Sequence, residues 1–401
     1  MTLVKQVQLK PTSLLVDMTI RLNNLFNYTQ YIMRNKFAED GRIYLMKDLY
    51  ALLKTHDVYL RLKEYGSQVP QQVLKQVLET WTNWFKALKS YRKTPTKFNG
   101  RPRMPKYHTK SIHGGKNIVI FTKQQARHRD GYILLPNKVL KMGFPKIPFI
   151  VPHENVTFES VRIIPFHDRF IFEMIYEYEC VPLQLDAEKK VGIDIGITNF
   201  IAMSNNFDAP SLLVKGGVVK ATNQFFNKQL AKARSVAKKC NGTTKNARIR
   251  RLFRKRRNKL HDLFHQNSRR IINFCIQHRV SEIIVRYNKG WKQRVNLGKR
   301  TNQNFVSIPF DTFVKQLEYK TALVGIQVTR ITEEYTSQRC SQCGVIRKQN
   351  RVCRGLYVCS TCQSVMNANL NAAMNILQKG TLESFTIGSR GGLTPPVAFK
   401  A

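Results

Sequence analysis

The sequence predicts an α+β, multidomain fold: a small β-barrel interrupted by a helical bundle, then an α/β core carrying a four-cysteine zinc ribbon. Three observations predict it. Strand-like alternation at residues 3–10 returns only after residue 116, with helical periodicity between. After residue 190, strand and helix patterns alternate, the layout of an α/β domain. Two Cys-x2-Cys pairs then stand fifteen residues apart. A chain of 401 residues, 42% of them hydrophobic, is long enough to bury more than one core.

Residues 3–10, Leu-Val-Lys-Gln-Val-Gln-Leu-Lys, alternate as a lone strand. From about 12 to 92, Leu22, Leu25, Phe26, Tyr28 and Ile32 recur at helical spacing, and Val73, Val77, Trp81, Trp84, Phe85 and Leu88 do so again. Pro70 sits near the start of that second helix, where a missing N–H costs little. The stretch 91–110 carries three prolines and a glycine and so reads as a linker. Its Arg92, Lys93, Lys97, Arg101, Arg103 and Lys106, interleaved with Phe98 and Tyr107, suit phosphates and stacked bases. Strands follow at 117–122, 132–135, 156–165 and 170–178, with a hairpin loop at His167-Asp168-Arg169. Together with the first strand they are expected to close the barrel.

Residues 248–280 read as one long helix with an apolar stripe through Ile249, Leu252, Leu260, Phe264 and Ile271. Arg250, Arg251, Arg254, Lys255 and Arg257 cover much of the rest, a rod suited to a phosphate backbone. Lys292, Lys299 and Arg300 extend the basic set. The domains expected are a barrel (1–11 and 111–188), a helical region with its basic linker (12–110), a core (189–335 and 364–380), a ribbon (336–363) and a mobile tail (381–401).

Charge narrows the function. Lys and Arg number 67 against 25 Asp and Glu, a formal +42. A compact chain with that excess repels itself unless a polyanion neutralises it. A long RNA, or RNA with DNA, supplies enough phosphate. No apolar run of about 18 residues marks a membrane span, and no leader pattern is seen, so a cytoplasmic location is expected. Four of the eight cysteines, Cys180, Cys240, Cys275 and Cys353, are scattered and read as free thiols, unlike a secreted disulfide scaffold. The other four, Cys340, Cys343, Cys359 and Cys362, have the spacing of a closed tetrahedral zinc site, which is structural and not catalytic. Arg347 and Arg351 between the pairs add cations to that ribbon.

One carboxylate, Asp194, stands inside the apolar strand Val191-Gly-Ile-Asp-Ile-Gly-Ile-Thr-Asn199, where an ionised group needs a partner or a metal. That strand, with Tyr335-Thr-Ser-Gln-Arg-Cys-Ser-Gln-Cys-Gly344 and Asn367-Ala-Asn-Leu-Asn-Ala-Ala-Met-Asn-Ile376, resembles the TnpB family of transposon-encoded RNA-guided nucleases, which are similar to compact type V CRISPR effectors. The resemblance runs from the first strand to about residue 378. It implies an RNase H-like (RuvC) core with the zinc ribbon inserted, and DNA cutting with two Mg²⁺ ions on three carboxylates.

In that pattern Asp194 is the first acid. Arg286 stands where the second is expected, in Ser281-Glu-Ile-Ile-Val-Arg286-Tyr-Asn288. By the same resemblance, some relatives supply the acid just before Tyr-Thr-Ser, which here selects Glu333 over Glu334; Glu282, at the start of its strand, is a poorer substitute. Asn369 replaces the third acid and brings no charge.

The expected function is therefore RNA-guided binding of double-stranded DNA beside a short flanking motif, by one or two copies on one structured guide RNA. With its RuvC site degenerate, the protein is expected to repress transcription without cutting, in the bacterial cytoplasm at the nucleoid. Mg²⁺ enters only if the site is active. The alternatives are an active RNA-guided endonuclease using Asp194 and Glu333, and a zinc-ribbon RNA-binding structural protein.

Overall fold

The computed structural model describes residues 1–109, 114–151, 154–242, 246–287, 307–332, 335–353, 355–381 and 397–399. The chain divides into two units, Met1–Glu179 and Cys180–Ala401.

In the first unit, strand β1 (Thr2–Leu9) leads into helix α1 (Ser13–Asp40). Thr12 fixes the helix start, its hydroxyl accepting the Leu15 amide at 3.3 Å. Gly41, at φ 71°, ends it in the left-handed conformation. Short helices α2 (Met46–Leu53) and α3 (Asp57–Leu60) precede α4 (Val69–Lys93), which has Pro70 in its first turn. Leu22, Leu25 and Phe26 of α1 and Val73, Val77 and Trp81 of α4 are buried, as their spacing predicts. The Trp81 indole N–H donates to the Gln30 side-chain oxygen at 2.9 Å, so the largest core side chain leaves no unpaired donor.

The later strands of this unit are β2 (Val119–Thr122), β3 (Arg127–Arg129), β4 (Tyr132–Leu134), β5 (Ile147–Pro148), β6 (Val156–Phe166) and β7 (Arg169–Tyr178), with α5 (Asn137–Lys141) between β4 and β5. β6 and β7 form the expected hairpin, and His167 at φ 51° makes its turn. β1 joins β7 antiparallel, giving the order β1-β7-β6-β2.

The expected barrel is not formed. β1 and β2 remain edges, and β3, β4 and β5 make a separate three-stranded sheet. Closure needs continuous pairing around the circumference, and strands of two or three residues are too short to bridge those edges. The small sheet instead packs on the larger one, with the Phe149 ring 5.6 Å from Tyr176 and 6.1 Å from Phe158.

The second unit contains β8 (Asp186–Ile195), β9 (Asn199–Asn205), β10 (Leu212–Lys215), α6 (Gly217–Asn241), α7 (Ala247–Gln277), β11 (Val280–Arg286), α8 (Phe310–Ala322), β12 (Gln327–Ile331), β13 (Leu356–Val358), β14 (Val365–Asn367), α9 (Ala368–Thr381) and β15 (Val397–Phe399). A mixed sheet runs β12-β11-β8-β9-β10-β15. β8 pairs antiparallel with β9 and parallel with β11. β15 lies parallel to β10.

Side chains alternate across the sheet. Val191, Ile193, Ile283 and Val285 point to the face packed with Phe264 and Ile271 of α7 and Phe313 and Leu317 of α8. The other face carries α9. Gly192 permits its close approach, because a Cβ there would stand 2.3 Å from the Ala373 carbonyl oxygen. Asp194 shares its strand face with Gly192, and Arg286 with Ile284, so both belong to the α9 side.

Between α7 and α8, the buried Lys320 ammonium donates to the His265 carbonyl oxygen at 2.9 Å and to the Ser268 hydroxyl at 2.8 Å.

Candidate acidic site, cysteine cluster and basic surfaces

Val285 is in register with Ile193, which brings the next residues, Arg286 and Asp194, side by side on neighbouring strands. Their side chains are almost fully buried, and the guanidinium Nη1 stands 3.0 Å from Asp194 Oδ1. Among the described residues no donor is well enough aligned to hydrogen-bond that oxygen, and the contact is an ion pair. Arg286 therefore sits against the buried carboxylate and compensates its charge there.

Asn369 lies one turn ahead of Ala373 on the sheet-facing side of α9. Its backbone N–H donates to the Asn367 side-chain oxygen at 2.9 Å, and the Leu370 N–H shares the same acceptor at 3.4 Å. Asn367 thus caps the helix. Glu282 is in register with Lys190, four residues from Asp194, or roughly 13 Å along the strand. There it accepts a hydrogen bond from the Thr329 hydroxyl, 2.5 Å, away from Asp194. Glu333 lies outside the described residues. Among the described residues, the one group of three or more metal-capable side chains is the cysteine cluster. Among the described residues, no such group of hard-oxygen donors, which a pair of Mg²⁺ ions needs, surrounds Asp194.

The cysteine cluster follows directly from two local turns. In the first, Cys340 accepts the Gly344 amide at 2.9 Å, and Gly344 takes φ 76°. In the second, Cys359 accepts the Gln363 amide at 3.0 Å, and Gln363 takes φ 58°. The β13–β14 hairpin ties the second turn to α9. All four sulfur atoms lie within 4.8 Å of one another, with Cys340–Cys362 at 3.7 Å and Cys343–Cys359 at 3.5 Å. Four thiolates about 2.3 Å from one tetrahedral ion stand about 3.8 Å apart, so the spacing fits such an ion and is far too long for disulfides. The Ser364 hydroxyl, 3.1 Å away, lowers the Cys362 thiol, whereas burial raises that of Cys343, so the case for a metal rests on the spacing of the four sulfur atoms.

The basic residues singled out in the sequence fall on several surfaces. Arg92, Lys93, Lys97, Arg101, Arg103, Lys106 and Tyr107 are exposed. Their segment is tied down more firmly than a linker. Asn27 and His108 exchange side-chain and backbone hydrogen bonds at 2.8 and 3.0 Å, Arg34 donates to the Pro105 carbonyl at 2.8 Å, and Trp84 donates to that of Pro102 at 3.2 Å. Arg34 also faces the Tyr107 ring, 5.4 Å from its centre.

On α7, Arg250, Arg251, Lys255 and Arg257 are exposed and Arg254 half-buried. Between the two cysteine pairs, Arg347 donates to the Ser360 hydroxyl at 3.0 Å, and Arg351 is half-buried. Lys292, Lys299 and Arg300 lie outside the described residues. Sequence reasoning did not find the groove between α6 and α7 beside Phe225, because it depends on how two helices pack. The long acid-free stretch was its one visible signal.

Two family models match this chain. "Cas12f1-like, TNB domain" covers residues 310–376, and "Probable transposase" covers residues 173–292. A CRISPR-associated endodeoxyribonuclease Cas12f1 of Sulfoacidibacillus thermotolerans is 27% identical over 52% of this chain and 50% of its own length, so the match spans about half of that relative. The TnpB-like protein ORF457 of Acidianus two-tailed virus is 23% identical over 88% of this chain and 80% of its own. A Cas12f1–sgRNA–target DNA complex has a protein fold similar at TM-score 0.55, with 14% identity, over 90% of this chain and 81% of that one. At that identity the likeness speaks for the fold alone. Both family models and the long TnpB-like match overlap the motifs at Asp194, Cys340 and Asn369, and they agree with the resemblance to the TnpB family that those motifs carry.

Proposed function

We propose that this protein binds a guide RNA, finds double-stranded DNA by base pairing beside a short flanking motif, and holds that DNA without cutting it. Bound there, it represses transcription by occlusion. The observation that carries the absence of cutting is the buried Asp194–Arg286 ion pair, which sets a guanidinium where the family pattern expects a metal-binding acid. Asn369, an amide in the third acid's place, supports the same reading.

The strand order around β8 supports an RNase H-like core that has kept its shape. The +42 charge supports RNA and DNA as partners, with the protein reading shape and charge while pairing supplies sequence. The four cysteines are proposed to hold a structural zinc ion through Cys340, Cys343, Cys359 and Cys362. One or two copies assemble on one RNA, at the nucleoid of a bacterial cell; among the described residues no helix is long and apolar enough to cross a membrane.

The test is to sequence the RNA that copurifies with the full chain and to exchange its guide for one matching a chosen duplex. A defined scaffold and guide, and retarded mobility of the matched duplex only, are expected. A heterogeneous RNA pool, or equal binding of unmatched duplex, contradicts the reading. The named relatives include endodeoxyribonucleases, so cleavage by Asp194 with Glu333 is the second reading; Mg²⁺-dependent cutting of the matched duplex would select it.

A further inference from the structure

The α6–α7 hairpin presents a groove of about 510 Å³ lined by Val218, Thr222, Phe225 and Leu252, with Lys255 and Lys259 at its rim. Phe225 is 65% exposed beside its buried neighbour Phe226. The groove wall is fixed. Arg256 donates through Nε to the Asn223 side-chain oxygen at 2.7 Å, reaches the Ser307 carbonyl, and lies over the Phe226 ring at 5.0 Å.

Thr222 is more than nine-tenths buried, yet among the described residues its hydroxyl has no hydrogen-bond partner. Helical threonines elsewhere in this protein donate to the carbonyl four residues back, as Thr19 does to Leu15 and Thr29 to Leu25. Buried polar atoms are normally satisfied, and the exceptions call for a ligand or a solvent bridge.

Charge defines the occupant. Between Asp208 and Asp262 the sequence contains no acidic residue, so this hairpin attracts anions only. The fitting chemistry is a planar ring with a hydrogen-bonding edge and flanking negative charge. We infer that the groove takes an unpaired base of the bound RNA, stacked on Phe225 and edged by Thr222, with the adjoining phosphates on Lys255 and Lys259. A duplex DNA base must first be unstacked at a cost of a few kcal/mol, whereas RNA loops and bulges present bases already free. The inference rests on the RNA-binding half of the proposed function, not on loss of cleavage.

The test uses the full chain with its copurified RNA. Ultraviolet crosslinking and peptide mass spectrometry should find a nucleotide adduct on the peptide carrying Phe225, at one or a few RNA positions. Phe225→Ala should weaken binding of that RNA by about 5- to 150-fold with an unchanged salt slope, since stacking releases no counterions. Phe225→Trp should retain affinity. Lys255→Ala with Lys259→Ala should instead flatten the salt slope by roughly 1.4, the value for two single-strand phosphates. RNA adducts on other surfaces but none at Phe225, with unchanged affinity of Phe225→Ala, would overturn the groove assignment and leave RNA binding standing. A chain that purifies free of RNA and gives no adduct anywhere would overturn both.

Discussion

At the residue scale, the Asp194–Arg286 pair makes a sharp thermodynamic prediction. Both side chains are about 90% buried. Arg286→Met leaves a carboxylate without compensation, and breaking a buried pair from one side costs about 3–5 kcal/mol. Arg286→Met combined with Asp194→Asn should recover most of that loss in denaturant unfolding, because a neutral pair needs no compensation. If the double variant is as unstable as the single one, charge pairing is not what holds the site.

Lys320 gives a second prediction at this scale. Burial, then Arg269, lowers its ammonium from the ordinary 10.5 to about 8. Burial, then Lys320 and His261, lowers His265 to about 4. Asp262 acts against these shifts at His265, and Arg257 adds to the one at His261. In both windows the unfolded chain binds more protons than the folded one, so stability rises with pH from about 4 to 6.5 and again from about 8 to 10.5. Thermal midpoints recorded against pH should show the upper rise in the parent and lose it in Lys320→Met. A parent curve that falls from pH 8 to 10, or a variant that keeps the rise, contradicts the assignment.

At the element scale, the seam between β8 and α9 depends on Gly192. In Gly192→Ala the new methyl meets the Ala373 backbone oxygen, which no side-chain rotation relieves, so a loss near the upper end of about 1–3 kcal/mol is expected. Gly217, at the start of α6, has open space around it, and Gly217→Ala should leave the melting temperature nearly unchanged. Equal effects of the two would remove the packing argument. The cysteine cluster makes a separate prediction. One zinc ion per chain should be found by elemental analysis, and Cys340→Ser should abolish it and open residues 336–363 to protease, since structural zinc contributes on the order of 10 kcal/mol. Full zinc occupancy in that variant would contradict the four-thiolate site.

The elements themselves were largely legible. Heptad-like apolar spacing gave α4 and α7 to within a few residues, and alternation gave β1, β6 and β7. Their signals are local. The barrel was misread because closure depends on pairing between distant edges, and no residue in β1 or β2 announces whether its outer edge is occupied. The cysteine cluster was legible because short spacing dictates each turn. Arg286 was visible as a misfit in a motif, but its 3.0 Å approach to Asp194 comes from strand register, which the sequence does not display.

At the scale of the whole molecule, +42 charges repel one another in the compact state, and a polyanion partner would relieve that repulsion. Exposed cations lie on the 91–110 segment of the first unit and on α7 of the second, so binding falls steeply with salt under this account. Under the proposed function, the acidic site decides the fate of bound DNA. The most direct measurement is cutting of a supercoiled plasmid carrying the guide-matched sequence, with the protein–RNA complex in excess and Mg²⁺ present. The plasmid should be fully bound yet remain supercoiled over many hours. Nicked or linear product that depends on both the matching guide and Mg²⁺, and disappears in Asp194→Ala, would contradict the reading of Arg286 as the group that closed this site.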